Sequence, residues 1–242
     1  MNKLEREVRF LKIYSLVLTL ALIVFGLAAL QAAPGHQRFA EIDVERLNLI
    51  EPDGHLDMVI SSAAKAPDPV IGGKTAKRQG GNSPGFIFYN QQGDEDGGLI
   101  FGGGKNKNGY SADAALLFDQ YQQDQTIGMM YSEENGQRSA AFHVWDRSNT
   151  PLSELIPKIE EIRKMPAPER DAAIKAMRDA GQLGAQRVFL GKNPDRAAAL
   201  LLADAKGQTR IRVRVDAAGD PKLEFLDETG KTTYSLPPAA KP

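Results

Sequence analysis

The sequence predicts a mainly β protein with a helical insert (α+β). An N-terminal transmembrane helix is followed by an antiparallel β-hairpin and meander domain. Three observations predict it. A single long uncharged apolar run lies near the N-terminus. Period-two alternation of apolar and polar residues recurs beyond it, separated by a repeated turn motif. One segment, flanked by prolines and closed by glycine, has helical periodicity instead.

The apolar run is Ile13 to Ala33, IYSLVLTLALIVFGLAALQAA. As a helix it would rise roughly 31 Å, enough to cross a hydrocarbon core of about 30 Å. A helix satisfies its own backbone polar groups, which lipid cannot do. Lys3, Arg6, Arg9 and Lys12 precede it, together with Glu5 and Glu7. The positive-inside rule therefore keeps residues 1–12 in the cytoplasm and exports the rest, to the periplasm or the extracellular side. The alternative is a cleaved signal peptide. Leu30-Gln31-Ala32 makes an imperfect cleavage site, and the run exceeds the usual signal-peptide core, so an uncleaved anchor is favoured.

A linker at 34–38 leads into a β-rich region at 39–147. The motif that punctuates it is Asp, Asn or Glu, two residues, then Gly. It occurs at Glu51–Gly54, Asn90–Gly93, Glu133–Gly136, Asp204–Gly207, Asp216–Gly219 and Asp227–Gly230. An Asp or Asn opening a type I turn accepts a bond from the backbone two residues on, and Gly at the fourth position takes the left-handed conformation that closes the hairpin. The flanks alternate. Leu56, Met58 and Ile60 are interleaved with Asp57 and Val59; Ile211, Val213 and Val215 with Arg210, Arg212 and Arg214; Leu223 and Phe225 with Lys222 and Glu224. Each reads as a half-buried strand.

Residues 150–181 read as a helical hairpin. Thr150 caps it with Pro151 at the first helical position. Leu152, Leu155 or Ile156, Ile159 and Ile162 mark its apolar face. A second helix starts near Pro168 and runs to Ala180, with Gly181 as its stop. A C-terminal β-meander is expected at 185–236, then a disordered tail at 237–242.

Composition narrows the chemistry. The 242 residues hold 30 Lys+Arg, 31 Asp+Glu and no cysteine. Disulfides, zinc–thiolate sites and cysteine nucleophiles are therefore excluded, and the charge balance gives no reason to expect nucleic acid as a partner. From Arg38 onward there are 26 basic and 29 acidic residues. Without residues 1–33 the hydrophobic fraction falls to roughly 38%, which predicts a thin core.

No catalytic constellation emerges, and the expectation is a non-enzyme without cofactor or metal site. The three histidines, His36, His55 and His143, have no evident partners. Gly97 to Lys105 departs from a phosphate-binding loop at Leu99 and Asn106, and a strand Leu99–Phe101 between glycine-rich turns is the better account. Asp94-Glu95-Asp96 holds only fragments of a calcium loop. Ser62-Ala63-Ala64-Lys65 matches the S-x-x-K nucleophile motif without its accompanying motifs.

Two stretches remain as ligand-binding candidates. Asp119, Gln120, Tyr121, Gln123 and Asp124 form an amide-rich segment suited to a sugar or peptide groove. Arg210, Arg212 and Arg214 share one strand face and suit a polyanion. For both, the plainer reading is favoured: an exposed polar turn for the first, and cross-strand pairing, for example with Glu224, for the second.

Four stretches carry a resemblance: Glu41 to Gly54, Gly97 to Gly103, Phe118 to Tyr121 and Tyr131 to Gly136. They resemble an uncharacterised bacterial family of single-pass, membrane-anchored β-rich proteins. The resemblance implies a shared architecture and a bacterial setting. It brings no activity, cofactor or catalytic residue.

The function expected is therefore a membrane-anchored extracytoplasmic binding or scaffolding module of the cell envelope. Its expected partners are the lipid bilayer, through residues 13–33, and an envelope protein or a second copy. The alternatives are an envelope-polymer enzyme using carboxylates near Asp119 and Asp124, or a ligand-binding sensor domain.

Overall fold

A computed structural model describes residues 2–30, 36–78 and 81–238. The chain divides into two units, 1–43 and 44–242.

In the first unit, helix α1 (Lys3–Leu30) begins ten residues before the apolar run, so the charged flank is helical too. The span Lys3–Leu27 is long and apolar enough to cross a membrane. Residues 34 and 35 of the expected linker lie outside the described residues, as do positions 239–242 of the expected tail.

The second unit is built on one antiparallel sheet of twelve strands: β1 (Arg46–Ile50), β2 (Leu56–Ser61), β5 (Gly85–Tyr89), β6 (Glu95–Asn106), β7 (Gly109–Asp119), β8 (Gln125–Glu134), β9 (Gln137–Asp146), β10 (Ala185–Lys192), β11 (Ala198–Ala203), β12 (Thr209–Val215), β13 (Pro221–Leu226) and β14 (Thr232–Leu236). Their order across the sheet is their order in the chain. Between β2 and β5 the chain makes a 3-10 turn (Ala63–Lys65) and a small hairpin, β3 (Val70–Ile71) with β4 (Lys74–Thr75). Between β9 and β10 lie helices α2 (Leu152–Arg163) and α3 (Ala167–Asp179).

Five of the six expected turns have the anticipated bond, from the Gly N–H back to the first residue's carbonyl; for Asp204–Gly207 it is 2.9 Å. The Asp204 side chain also accepts from the N–H groups of Lys206 and Gln208. Asp216 and Asp227 repeat this pattern, and backbone donors help hold all three carboxyls below the usual range. The Glu133–Gly136 turn differs. Glu134 pairs with Gln137, so Asn135-Gly136 is a two-residue hairpin turn with positive φ at both positions. A further copy of the four-residue turn spans Asn193–Arg196, with Arg196 at φ 66° where the others have Gly.

The helical hairpin is shifted slightly from expectation. Pro151, not Thr150, is the N-cap, and it makes no side-chain capping bond. Helix α3 starts at Ala167 and ends before Gly181, whose φ is +69°. Leu155, Ile162 and Met177 are buried together, flanked by Leu152, Ile159, Ala173, Ile174 and Leu183.

The sheet sorts its residues by face. Cross-strand partners share a face, so the pairings trace rows across all twelve strands. One row reads Leu47, Ile60, Phe86, Leu99, Leu116, Met129, Phe142, Leu190, Leu200, Val213, Leu223, Leu236. Two residues along each strand, the neighbouring row on the same face reads Leu49, Met58, Phe88, Gly97, Phe118, Ile127, Val144, Val188, Leu202, Ile211, Phe225, Tyr234. Neither row contains a charged side chain.

The other face, row by row, is mixed: Asn48, Val59, Ile87, Gly98, Leu117, Gly128, His143, Phe189, Leu201, Arg212, Glu224, Ser235. The thin core expected from composition is therefore found, but not where strand alternation placed it. Val59, read as a residue of the outward set, is 0% exposed, whereas Val213 on the expected inner side is 40% exposed. The reason is architectural: alternation identifies an apolar face but does not supply a second layer to cover it.

Candidate functional site

The amide-rich segment forms the β7–β8 turn. Its backbone closes with a bond from Gln123 N–H to Gln120 O, 2.8 Å, and Gln122 takes φ +54°. The segment after β9 is fastened to this turn. Gln120 Nε2 donates to Ser148 O at 3.0 Å, Gln123 Nε2 donates to Thr150 O, and Leu152 N–H donates to Gln122 O at 2.8 Å. The amides that looked like ligand donors are thus partly consumed in holding the start of α2.

That attachment creates a cleft of about 590 Å³. One wall is apolar, from Leu152, Ile156 and Ile159 of α2 and from Pro69 and Ile71 of the β3–β4 insert. Asp119, Gln123, Asp124 and Gln125 come from the β7–β8 turn, and Arg78, Glu95, Glu160 and Arg163 add charge.

Three of these charges, Arg78, Glu95 and Asp124, are engaged in ion pairs. Arg78 holds Glu95 with two bonds, Nη2–Oε2 at 2.7 Å and Nη1–Oε1 at 3.3 Å. Arg147 lies 3.7 Å from Asp124, donates to Gln125 O, and sits 5.5 Å over the Trp145 ring. Asp119 differs. Its Oδ1 is buried without a hydrogen-bond partner among the described residues. Burial pushes its carboxyl up to about 7, with further upward contributions from the negative charges of Asp124, Glu95 and Asp96, while Arg147 works the other way.

Of the residues predicted from sequence, Asp119, Gln123 and Asp124 line this cleft. Gln120 supports it from behind, and the side chain of Tyr121 is exposed. Arg210, Arg212 and Arg214 do not join it. Arg212 Nε bonds Glu224 Oε2 at 2.6 Å, Arg214 and Lys222 approach the same carboxylate at 3.8 Å, and Arg210 lies 3.7 Å from Asp204. Glu224 is almost fully buried, and the Arg212 bond holds its carboxyl below the usual range. The arginine ladder is a cross-strand cluster in which Glu224 is shared by three cations and Asp204 faces a fourth.

Sequence reasoning missed Arg78, Glu95, Glu160, Arg163 and the apolar wall. Leu152 and Ile159 had been assigned to a helix face, but the distant Ile71 and Arg78 carry no local signal. The other motifs are structural. Gly97 to Lys105 lies wholly within β6, so its glycines pair in the ladder with β7 instead of forming the turns expected around Leu99–Phe101, and Lys65 of the S-x-x-K match pairs with Glu45 at 3.4 Å. Asp94 Oδ1 accepts from Gly73 N–H at 2.8 Å. His143 stacks on Trp145 at 5.1 Å, and burial lowers its pKa. No family model and no curated protein sequence matches the chain.

Proposed function

We propose that the chain is a binding module held at a membrane by an uncleaved α1, with residues 1–12 in the cytoplasm and the sheet in the extracytoplasmic space of a bacterial cell envelope. The Lys/Arg flank of α1 supports that orientation. The observation that carries the binding assignment is the Asp119 Oδ1, a buried carboxyl oxygen without a hydrogen-bond partner among the described residues, in a cleft with an apolar wall. Such a site favours a ligand that places a cation or a strong hydrogen-bond donor beside a short aliphatic segment.

The test uses n-butylammonium and butyrate as probes, with NMR shifts read at Gln125, Leu152 and Ile156. At pH 8 butylammonium is expected to perturb all three and butyrate none. The response should weaken as pH falls through 7, where Asp119 takes up its proton. Asp119→Asn should abolish it. Equal responses to both probes, or an unchanged response in the variant, would reject the assignment.

A second reading, an enzyme acting on an envelope polymer, is favoured by one observation. Asp119, raised to about 7, lines the same cleft as Asp124, which lies beside Arg147. Two carboxyls in different environments are the requirement for acid–base work. That reading expects polymer cleavage by the native chain, lost in both Asp119→Asn and Asp124→Asn.

A further inference from the structure

We infer that the apolar face of the twelve-stranded sheet is covered by the same face of a second copy of this chain. The inference is independent of what occupies the cleft.

Its first support is extent. Twelve strands about 4.8 Å apart span about 58 Å, and two rows of side chains occupy about 14 Å along the strands, giving about 800 Å² of face. Each partner in a standard protein–protein interface contributes about that area. Contiguous apolar patches of this size are rare on monomers. The face is also open: Met129 and Leu190 are each 54% exposed, and the row continues apolar to both sheet edges at Leu47 and Leu236.

The second support is charge. The two rows carry none; the charges on this face, Lys105, Glu133, Arg138 and Lys192, lie beyond one edge of them, where Arg138 holds Glu133 at 2.9 Å. Because the charges are confined to one margin, the two uncharged rows oppose no like charges when they meet their own copies. A two-fold pairing needs that self-complementarity. Two such sheets packed about 10 Å apart supply each other with the layer that one chain lacks.

The absence of cysteine makes the test direct. Met129 and Met130 are neighbours in β8, the sixth strand of twelve, close to where a two-fold axis would pass. Met129 points to the apolar face and Met130, 41% exposed, to the other. Full-length Met129→Cys and Met130→Cys chains in phosphatidylcholine vesicles are treated with a flexible bis-maleimide. Met129→Cys should give covalent dimers, with at least tenfold lower yield from Met130→Cys. Adding Leu190→Lys to Met129→Cys should lower its yield at least tenfold, with strand content by circular dichroism unchanged; Arg196→Glu, outside the strands, should leave it unaltered. Equal yields from the two cysteines, or none from either, would overturn the inference. So would Met129→Cys that is shielded from a monofunctional maleimide by the vesicles yet never cross-links, since lipid would then cover the face.

Discussion

The two faces of the sheet are made by the same strands and differ in what they demand of their surroundings. On one, two rows run from β1 to β14 with no charge and no neutral hydrogen-bonding side chain other than the Tyr234 hydroxyl. On the other, each stretch has its own local solution. Val59 and Ile87 are buried, Trp145 leans over Gly128, and Glu224 gathers Arg212, Arg214 and Lys222. Much of the mixed face is engaged within the chain by such local contacts. The apolar face is uniform, and uniformity over twelve strands points to one covering surface. Local polarity therefore reports intramolecular partners, while long-range uniformity reports a missing layer.

The most disruptive way to probe this contrast is to fill the gap in the apolar rows. Gly97 is the position there without a side chain. Its φ is +131°, and a Cβ would fall inside contact distance of the Leu117 carbonyl oxygen on β7. Gly97→Val completes the apolar pattern yet should destabilise the sheet by about 4 kcal/mol or more, read by denaturant unfolding. A neutral result would mean that pattern outweighs backbone fit.

A smaller loss is expected where apolar residues are covered by their own chain. Leu155 is 3% exposed in the helical hairpin. Leu155→Ala should cost about 3 kcal/mol. Hydrogen exchange should show the loss concentrated in 152–183, with the β10–β14 amides little changed.

The smallest expected effect is a gain, at the cleft. Asp119 is raised from 3.8 to about 7 in the folded chain, so between those values the folded state holds a proton that the unfolded state has released. Its contribution to stability therefore falls as pH rises from about 4 to 7 and is level above that. Asp119→Asn should remove this slope and stabilise the protein at pH 8 by about 2 kcal/mol. Unfolding midpoints at pH 4 and pH 8 would check it: the variant should gain at pH 8 and change little at pH 4.

Much of the fold was legible because its signals are local. Asp204, Asp216 and Asp227 announce their hairpins through a side-chain bond to the next few amides, and the meander at 185–236 follows from their spacing. The turn at Asn193 escaped notice because Arg196 takes the conformation expected of Gly. At the cleft, Asp119 and Asp124 stood out as carboxyls in an unusual run. Arg78 and Ile71 could not, because strand β6 and the β3–β4 insert bring them there through chain-distant contacts. Alternation found the apolar side of β2, β12 and β13, but whether that side is covered depends on layers, and a strand's own pattern does not encode them.

The strict neighbour order of the strands has a further consequence. Every ladder joins segments that are close in the chain, apart from the crossings of the β3–β4 insert and the helical hairpin. Contact order is low for so large a sheet, and loop closure costs little at each step. Stability then accumulates as a chain of nearest-neighbour terms, much as it does in a solenoid. Such a sheet can be lengthened or shortened by one hairpin without rethreading the rest, so its width is a quantity that duplication or loss of a hairpin can tune.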